Sequence, residues 1–155
     1  MTFDKDLSNI NPNFAENGFP FAYIKDGNTF ISTFSEINLP ASITEYIAIF
    51  GYCTNLTKCL IPNGVTSIGD NAFAICLKLT SITIPNSVTT IGSLTFFQCK
   101  SLTSVKIEAA TPPTNDSELF DGCDALTEIL VPSASVDAYK TATRWSTYAN
   151  IIKGF

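Results

Sequence analysis

The stretch LTSITIPNSVTTIG, from Leu79 to Gly92, contains the pattern from which the fold class can be predicted. Ile82 and Ile84 alternate with the hydroxyl side chains of Ser81 and Thr83, and apolar residues at every second position are typical of a strand with one buried face. The proline that follows ends this strand, because it has no amide hydrogen to donate to a neighbouring strand. The first half of the stretch therefore predicts a short strand whose isoleucines point into a core.

The second half of the stretch predicts another short buried element. Asn86 supplies turn chemistry after the strand, and Val88 and Ile91 then place two apolar side chains on the inward side. Gly92 permits a sharp bend, since glycine tolerates backbone angles that other residues avoid. The segment 70–76 is too short for a stable free helix, so it predicts a turn or a single helical turn on the far side of the unit.

This pattern recurs at steps of 23 residues, with one final step of 24. The recurring positions are Leu56, Leu79, Leu102 and Leu126; Ile61, Ile84, Ile107 and Val131; and Phe50, Phe73, Phe96 and Phe120. A repeat of this length is typical of a solenoid, in which each unit needs its neighbours to bury its apolar side. The sequence therefore predicts four to five stacked coils, with the phenylalanines in the core.

The cysteines follow the same repeat. Cys53, Cys76, Cys99 and Cys123 hold one position in four successive units, and Cys59 stands where other units have a strand isoleucine or valine. Adjacent strands lie about 4.8 Å apart, within disulfide range, but side chains in such a column point the same way. We interpret the cysteines as small buried apolar residues. One thiol per coil and no histidine argue against a metal site, and we expect no cofactor.

Both ends depart from the repeat, as solenoid ends should, because an open coil exposes apolar core and an unpaired strand edge. The segment Lys25–Asn28 between two apolar stretches predicts a hairpin, and Ser135 can cap a short helix that precedes Trp145. The single domain 1–155 is therefore divided into an extended N-terminal arm (1–18), an N-terminal hairpin cap (19–37), about four repeats (38–132) and a C-terminal helical cap (133–155).

Composition excludes several function classes. Nine basic against fourteen acidic residues give a net charge of −5, whereas nucleic-acid binding needs a concentrated basic footprint. No apolar run approaches the roughly 18 residues of a membrane helix, so we expect no membrane insertion. The acidic start Met1–Asp6 lacks the features of a secretory signal. Because the chain has no histidine, a Ser-His-Asp or Cys-His catalytic arrangement is impossible, and we expect no enzyme.

One acidic stretch, residues 116–128, contains five carboxylates: Asp116, Glu118, Asp121, Asp124 and Glu128. Oxygen-rich loops can hold calcium, but the spacing matches no calcium loop and core residues interrupt it. Solubilising surface charge is the favoured interpretation, with a bound cation as the alternative.

The repeat resembles that of the BspA-like leucine-rich repeat family, whose units read much like Leu102-Thr103-Ser104-Val105-Lys106-Ile107 preceded by Val88-Thr89-Thr90-Ile91-Gly92. The ending from Val131 to Lys140, with Trp145 and Tyr148 after it, is similar to that family's terminal unit. The resemblance covers residues 37–155. It implies a β-rich α/β fold, a right-handed leucine-rich-repeat solenoid with a narrow parallel β-sheet, and a role in surface attachment or host-protein binding. It brings no catalytic residues.

Strand alternation also predicts a candidate binding face. If the strand's apolar residues point inward, two rows point outward: Lys58, Ser81, Ser104 and Glu128, and Leu60, Thr83, Lys106 and Leu130. Such a sheet is a flat, rigid platform of the kind that solenoid binding proteins use. For the serines and threonines, strand propensity and solubility are the favoured explanation. Two leucines around Lys106 are better suited to anchor a partner.

These observations predict a non-enzymatic binding or adhesion module of a bacterial surface or secreted protein, which recognises a protein or glycan partner through these rows. The alternative is a structural or receptor-binding protein of a phage virion, in a tail or head appendage. It arises because Asp6–Pro12 resembles a junction sequence of phage tail-fibre proteins. In that case the N-terminal arm would serve oligomerisation or virion assembly.

Overall fold

The repeated strand is confirmed as the main structural element of the chain. The computed structural model describes residues 23–25, 29–31, 35–38, 45–46, 50–115 and 117–155. In chain order the strands are β1 (Tyr23–Lys25), β2 (Thr29–Ile31), β3 (Glu36–Asn38), β4 (Glu45–Tyr46), β5 (Lys58–Leu60), β6 (Ser67–Ile68), β7 (Ser81–Ile84), β8 (Thr90–Ile91), β9 (Ser104–Ile107), β10 (Thr114–Asn115), β11 (Glu128–Val131) and β12 (Ile152–Gly154). The helix α1 (Val136–Thr141) lies between 3₁₀ turns at Ser133–Ser135 and Trp145–Tyr148.

A six-stranded parallel sheet, here called the large sheet, runs in the order β12-β11-β9-β7-β5-β3. In β7 the side chains of Ile82 and Ile84 are buried, while Ser81 and Thr83 are exposed. Ile82 pairs with Val105 and Ile84 with Ile107 in β9, so each inward residue stacks on its equivalent in the next coil. The predicted alternation is therefore confirmed.

A second parallel sheet, with four strands in the order β10-β8-β6-β4, forms another side of each coil. Ile68 and Ile91 pair across β6 and β8 and are fully buried. The second inward element predicted around Val88 and Ile91 is thus a strand. Gly92 lies so close to the preceding coil that an added Cβ would collide with the backbone nitrogen of Asp70, and this contact explains the glycine.

Turns, not helices, form the third side of the coils, as the segment 70–76 predicted. Tyr52, Ile75 and Gln98 occupy the left-handed backbone region at one equivalent position, with φ of 65°, 61° and 57°. Their amide nitrogens donate to carbonyl oxygens of the next coil at 2.7–2.8 Å. These hydrogen bonds hold the left-handed conformation, which is unusual for a β-branched residue such as Ile75.

The phenylalanines form a continuous ladder inside the turns. Ring centroids are 5.2 Å apart between Phe50 and Phe73, 5.5 Å between Phe73 and Phe96, and 5.4 Å between Phe96 and Phe120, all in stacked geometry. The ring of Tyr148 closes the ladder edge-on, 5.2 Å from Phe120. The predicted core position of this column is confirmed.

The cysteine column is buried next to the ladder, as predicted, and all five cysteines are reduced thiols. Cys76, Cys99 and Cys123 each donate a hydrogen bond from Sγ to the carbonyl oxygen of the phenylalanine one coil earlier, at 3.2, 3.1 and 3.0 Å. The column therefore ties neighbouring coils together as well as filling space.

The large sheet extends further in both directions than the sequence suggested. β3 begins at Glu36 and pairs with β5, so the predicted boundary at residues 37 and 38 falls inside a strand. β12 adds a parallel strand to β11 within the predicted C-terminal helical cap, residues 133–155. Both additions pair a strand edge that would otherwise be open.

The terminal segments also contain the predicted hairpin and helix. β1 and β2 pair antiparallel, with Tyr23 opposite Ile31. Ser135 occupies the N-cap position of α1 but makes no capping hydrogen bond with its side chain, so its predicted capping role is wrong. Instead, Tyr139 Oη donates to Ala109 O at 2.8 Å and Trp145 Nε1 donates to Pro113 O at 2.8 Å. The predicted arm 1–18 lies outside the described residues.

Candidate binding face

All eight residues of the two predicted rows lie on the outward face of the large sheet, here called the sheet face. Register places Leu60 opposite Thr83, Thr83 opposite Lys106, and Lys106 opposite Leu130. In the other row, Ser81 lies opposite Ser104 and Ser104 opposite Glu128, while Lys58 lies opposite Glu36 of β3. Backbone pairing thus holds both rows in fixed positions.

Exposure changes along this face. Lys58, Ser81 and Thr83 are exposed, and Leu60 has 55% of its surface accessible. At the other end Ser104, Lys106, Glu128 and Leu130 are half-buried. The two leucines do not form one apolar patch, because β7 and β9 separate their strands by about 14 Å in total. Of the two leucines, only Leu130 pairs directly with Lys106 in the sheet.

Three side chains that the sequence did not point to, those of Glu108, Lys153 and Phe155, lie against the half-buried end. Lys106 Nζ lies 4.3 Å from the ring centroid of Phe155 and 3.1 Å from Glu108 Oε1. Glu128 Oε2 lies 3.4 Å from Lys153 Nζ. We call Lys106, Glu108, Glu128, Lys153 and Phe155 the C-terminal cluster. It combines two ion pairs with an aromatic ring that is 50% exposed.

Lys106 and Glu128 were predicted, whereas Lys153 and Phe155 were missed because β12 was not predicted. A signal for it was present, since Ile152 follows Ile129 by one more step of 23 residues and pairs with it in the sheet. Glu108 stands at the position where other coils have Pro62, Pro85 and Pro132. Glu108 can therefore be recognised in the sequence because it departs from the repeat.

A second exposed surface lies on the turn side of the coils. Tyr52, Leu77 and Leu94 are 37–39% exposed, and we call these three side chains the turn face. Leu77 N donates to Ile75 O at 3.0 Å, and Ile75 N donates to Phe97 O at 2.7 Å, which places Leu77 beside the left-handed column. This surface is distinct from the sheet face, because the strands and the turns form different sides of each coil.

The thiols do not provide a reactive site. Burial, together with the nearby Cys53, raises the pKa of the Cys59 thiol to about 12. A thiol must ionise to act as a nucleophile or a metal ligand, and Cys59 stays protonated at neutral pH. Burial, which all five cysteines share, therefore indicates a structural role for them.

The described residues of the acidic stretch give no support for the alternative of a bound cation. Within the described ranges, His, Cys, Asp and Glu side chains do not gather in groups of three or more that could hold a metal ion. Asp116, one of the five carboxylates, lies outside those ranges. In the described part of the chain, no helix has the length and apolar character that crossing a membrane requires.

Comparison with known proteins identifies the repeat. The family model described as BspA type leucine rich repeat region (6 copies) matches residues 42–143. A search of curated proteins finds no match. The family match covers more than half of the chain and includes the central strands of the large sheet, the phenylalanine ladder and the cysteine column. The chain therefore belongs to the BspA-type leucine-rich repeat family.

Proposed function

We propose that this protein is a non-enzymatic binding or adhesion module that recognises a protein or glycan partner through the sheet face. The observation that carries the proposal is the fixed outward display of eight side chains by a continuous parallel sheet. Because hydrogen bonds already order these strands, a partner would bind without the entropic cost of ordering a loop. Membership of a leucine-rich repeat family supports a binding role.

The proposed location is a bacterial cell surface or the secreted fraction, in keeping with a role in attachment. There the exposed Leu60 and Lys58 would contact the partner at one end of the face, and Lys106 and Leu130 at the other. Rows of hydroxyl groups between them supply hydrogen-bond donors and acceptors. The absence of histidine from the chain supports the non-enzymatic part of the proposal.

A pair of charge-reversal variants tests which side of the solenoid binds. The full chain, immobilised, would be exposed to cell-surface extract, and the affinity of a retained partner would then be measured by surface plasmon resonance. Lys106→Glu reverses the charge at this position of the sheet face and is expected to weaken binding at least about tenfold, which corresponds to about 1.4 kcal/mol. Lys78→Glu makes the same change on the turn side, where Lys78 Nζ contacts Asn55 Oδ1 at 2.9 Å.

Stability separates a binding effect from a folding effect. Lys106→Glu removes a partly exposed ion pair with Glu108 and the contact with the Phe155 ring, and exposed interactions of these kinds contribute about 0–1 kcal/mol each. The melting temperature should therefore fall by no more than a few degrees. Equal affinities of the wild type and Lys106→Glu, or a larger loss in Lys78→Glu, would exclude the sheet face as the binding site.

The virion alternative rests on the sequence of Asp6–Pro12, which lies outside the described residues. It differs from the surface-attachment proposal in the expected assembly, because fibre proteins tend to form trimers. Sedimentation equilibrium of the full chain discriminates between the two. A stable trimer that dissociates when residues 1–18 are deleted would favour the virion component, and a monomer would favour the surface module.

A further inference from the structure

We propose that the C-terminal cluster is a subsite for a neutral oligosaccharide. This inference rests on the proposed function of the sheet face and names the chemical class of ligand at one end of it. Three observations carry it: the charges of the cluster are already paired, the pairs keep unused hydrogen-bonding capacity, and a half-exposed aromatic ring lies beside them.

The charges of the cluster cancel within the protein. Lys106 is paired with Glu108 at 3.1 Å and Lys153 with Glu128 at 3.4 Å, so two positive and two negative groups give no net charge. A charged ligand would meet as many like charges as opposite charges in this cluster. A neutral ligand leaves both in place, and the cluster therefore favours a ligand without ionised groups.

The paired groups still have donors and acceptors to offer. An ammonium group has three N–H donors, and a carboxylate has about four lone-pair sites, whereas one ion pair uses only part of this capacity. Hydroxyl groups both donate and accept hydrogen bonds. An adjacent ammonium and carboxylate can thus bind one sugar hydroxyl from both sides, and the exposed Ser81 and Thr83 extend this polar surface along the sheet.

The ring of Phe155 provides the apolar contact that a sugar needs. Lys106 lies over one face of the ring, yet half of the Phe155 surface stays accessible. A pyranose ring presents a face of C–H groups, which packs against an aromatic face by burial of apolar surface and by attraction to the ring's negative quadrupole. Stacking and paired hydrogen bonds together define the position of one sugar unit.

The same face is less suited to a protein interface. Energetically important residues of such interfaces cluster around buried aromatic and apolar anchors, whereas Leu60 and Leu130 are separated by two strands whose outward residues are Ser81, Thr83, Ser104 and Lys106. The more apolar exposed surface is the turn face. The oligosaccharide is therefore the favoured ligand, and a protein partner is an outcome that the experiment can reveal.

A glycan array tests the proposal with the full chain. The array would carry neutral oligosaccharides beside their sialylated and sulfated counterparts, and calorimetry would give the affinity of the strongest neutral ligand. We expect a neutral glycan to bind, with a dissociation constant that changes less than about twofold between low and high salt, because no net charge is screened. Phe155→Ala should weaken this binding at least about tenfold.

Two further variants separate loss of contact from loss of structure. Phe155→Trp keeps an aromatic face and should retain binding within about threefold or strengthen it. Leu77→Ala lies on the turn face and should change the affinity less than about twofold. Phe155→Ala is expected to keep its fold, because Phe155 N bonds to Val131 O at 3.0 Å through the backbone, and a circular dichroism melting curve checks this.

The outcomes distinguish the subsite from the wider proposal. Binding of acidic glycans only, no binding of any neutral glycan, or equal affinities of Phe155→Ala and wild type would overturn the oligosaccharide subsite. If a protein partner is instead retained and loses affinity in Lys106→Glu, the sheet face remains the binding site while the ligand class is wrong. If a neutral glycan binds and no sheet-face variant affects it, both proposals fail.

Discussion

Truncation of Phe96 to alanine is the sharpest perturbation of the core. This side chain is fully buried and is stacked on both sides, with ring centroids 5.5 Å from Phe73 and 5.4 Å from Phe120. Interplanar angles of 7° and 15° show that Phe96 is nearly parallel to both neighbouring rings. The substitution therefore interrupts the ladder at its centre.

The expected cost follows from burial and from the two ring contacts. Phe→Ala substitutions in cores cost about 3–5 kcal/mol, and each stacked aromatic pair adds about 0.5–1.5 kcal/mol beyond burial. Because Phe96 is fully buried and has two such partners, we expect a loss of about 4–5 kcal/mol. That is a large part of the total stability of about 5–15 kcal/mol that is typical of a domain.

Equilibrium unfolding in urea, followed by Trp145 fluorescence and by circular dichroism, measures this loss. Phe97→Ala is a matched control, since Phe97 is the next residue in the same turn but is only half-buried, and it should cost at most about 2 kcal/mol. Coincident curves from the two probes are needed, because repeat proteins can unfold in parts. A loss under about 1 kcal/mol for Phe96→Ala, or equal losses for both variants, would refute the core position of the ladder.

Two further predictions concern the turns and the thiols. Gly92→Ala should destabilise the protein by at least about 2 kcal/mol, because the new Cβ collides with the backbone at Asp70. Gly64→Ala has no neighbour within 4 Å, but its φ of +114° is one that L residues rarely adopt, so it should cost about 1–3 kcal/mol through backbone strain alone. Chemical denaturation measures both losses, and an unchanged stability of Gly92→Ala would contradict the close contact between coils. Burial raises the pKa of Cys59 to about 12, whereas an unfolded thiol ionises near pKa 8.5. Above about pH 8.5 the unfolded state loses this proton first, so stability should fall as pH rises to about 12. Urea midpoints at about pH 7.5 and 10 should show a smaller fall in Cys59→Val than in wild type, and identical falls would contradict the buried-thiol assignment.

The regular part of the fold follows directly from the sequence, because each coil repeats the same physical requirements. The alternation of Ile82 and Ile84 with polar residues predicted the first strand, and Val88 and Ile91 predicted the second buried element. The columns of phenylalanine and cysteine predicted the core. A step of 23 residues superposes each inward side chain on its equivalent. Local pattern and long-range packing therefore agree at every coil.

The ends were harder to predict, because their structure depends on contacts between residues that are far apart in the sequence. β12 has only three residues and gains its stability by pairing with β11, which no alternation pattern reveals. Likewise Trp145 and Tyr139 donate to carbonyl oxygens 32 and 30 residues earlier in the chain. Lys153 and Phe155 of the C-terminal cluster were missed for the same reason, since Phe155 reaches Lys106 only after β12 has joined the sheet.

The most direct test of the sheet face as the binding site is hydroxyl-radical footprinting of the full chain with and without its bound partner or glycan. Leu60, Leu130 and Phe155 report on the sheet face, and Tyr52, Leu77 and Leu94 report on the turn face. We predict that the ligand lowers the oxidation of Phe155 and Leu130 at least about threefold, while the turn-face residues are oxidised at unchanged rates. Protection of the turn face with an unchanged sheet face would contradict the proposed binding site.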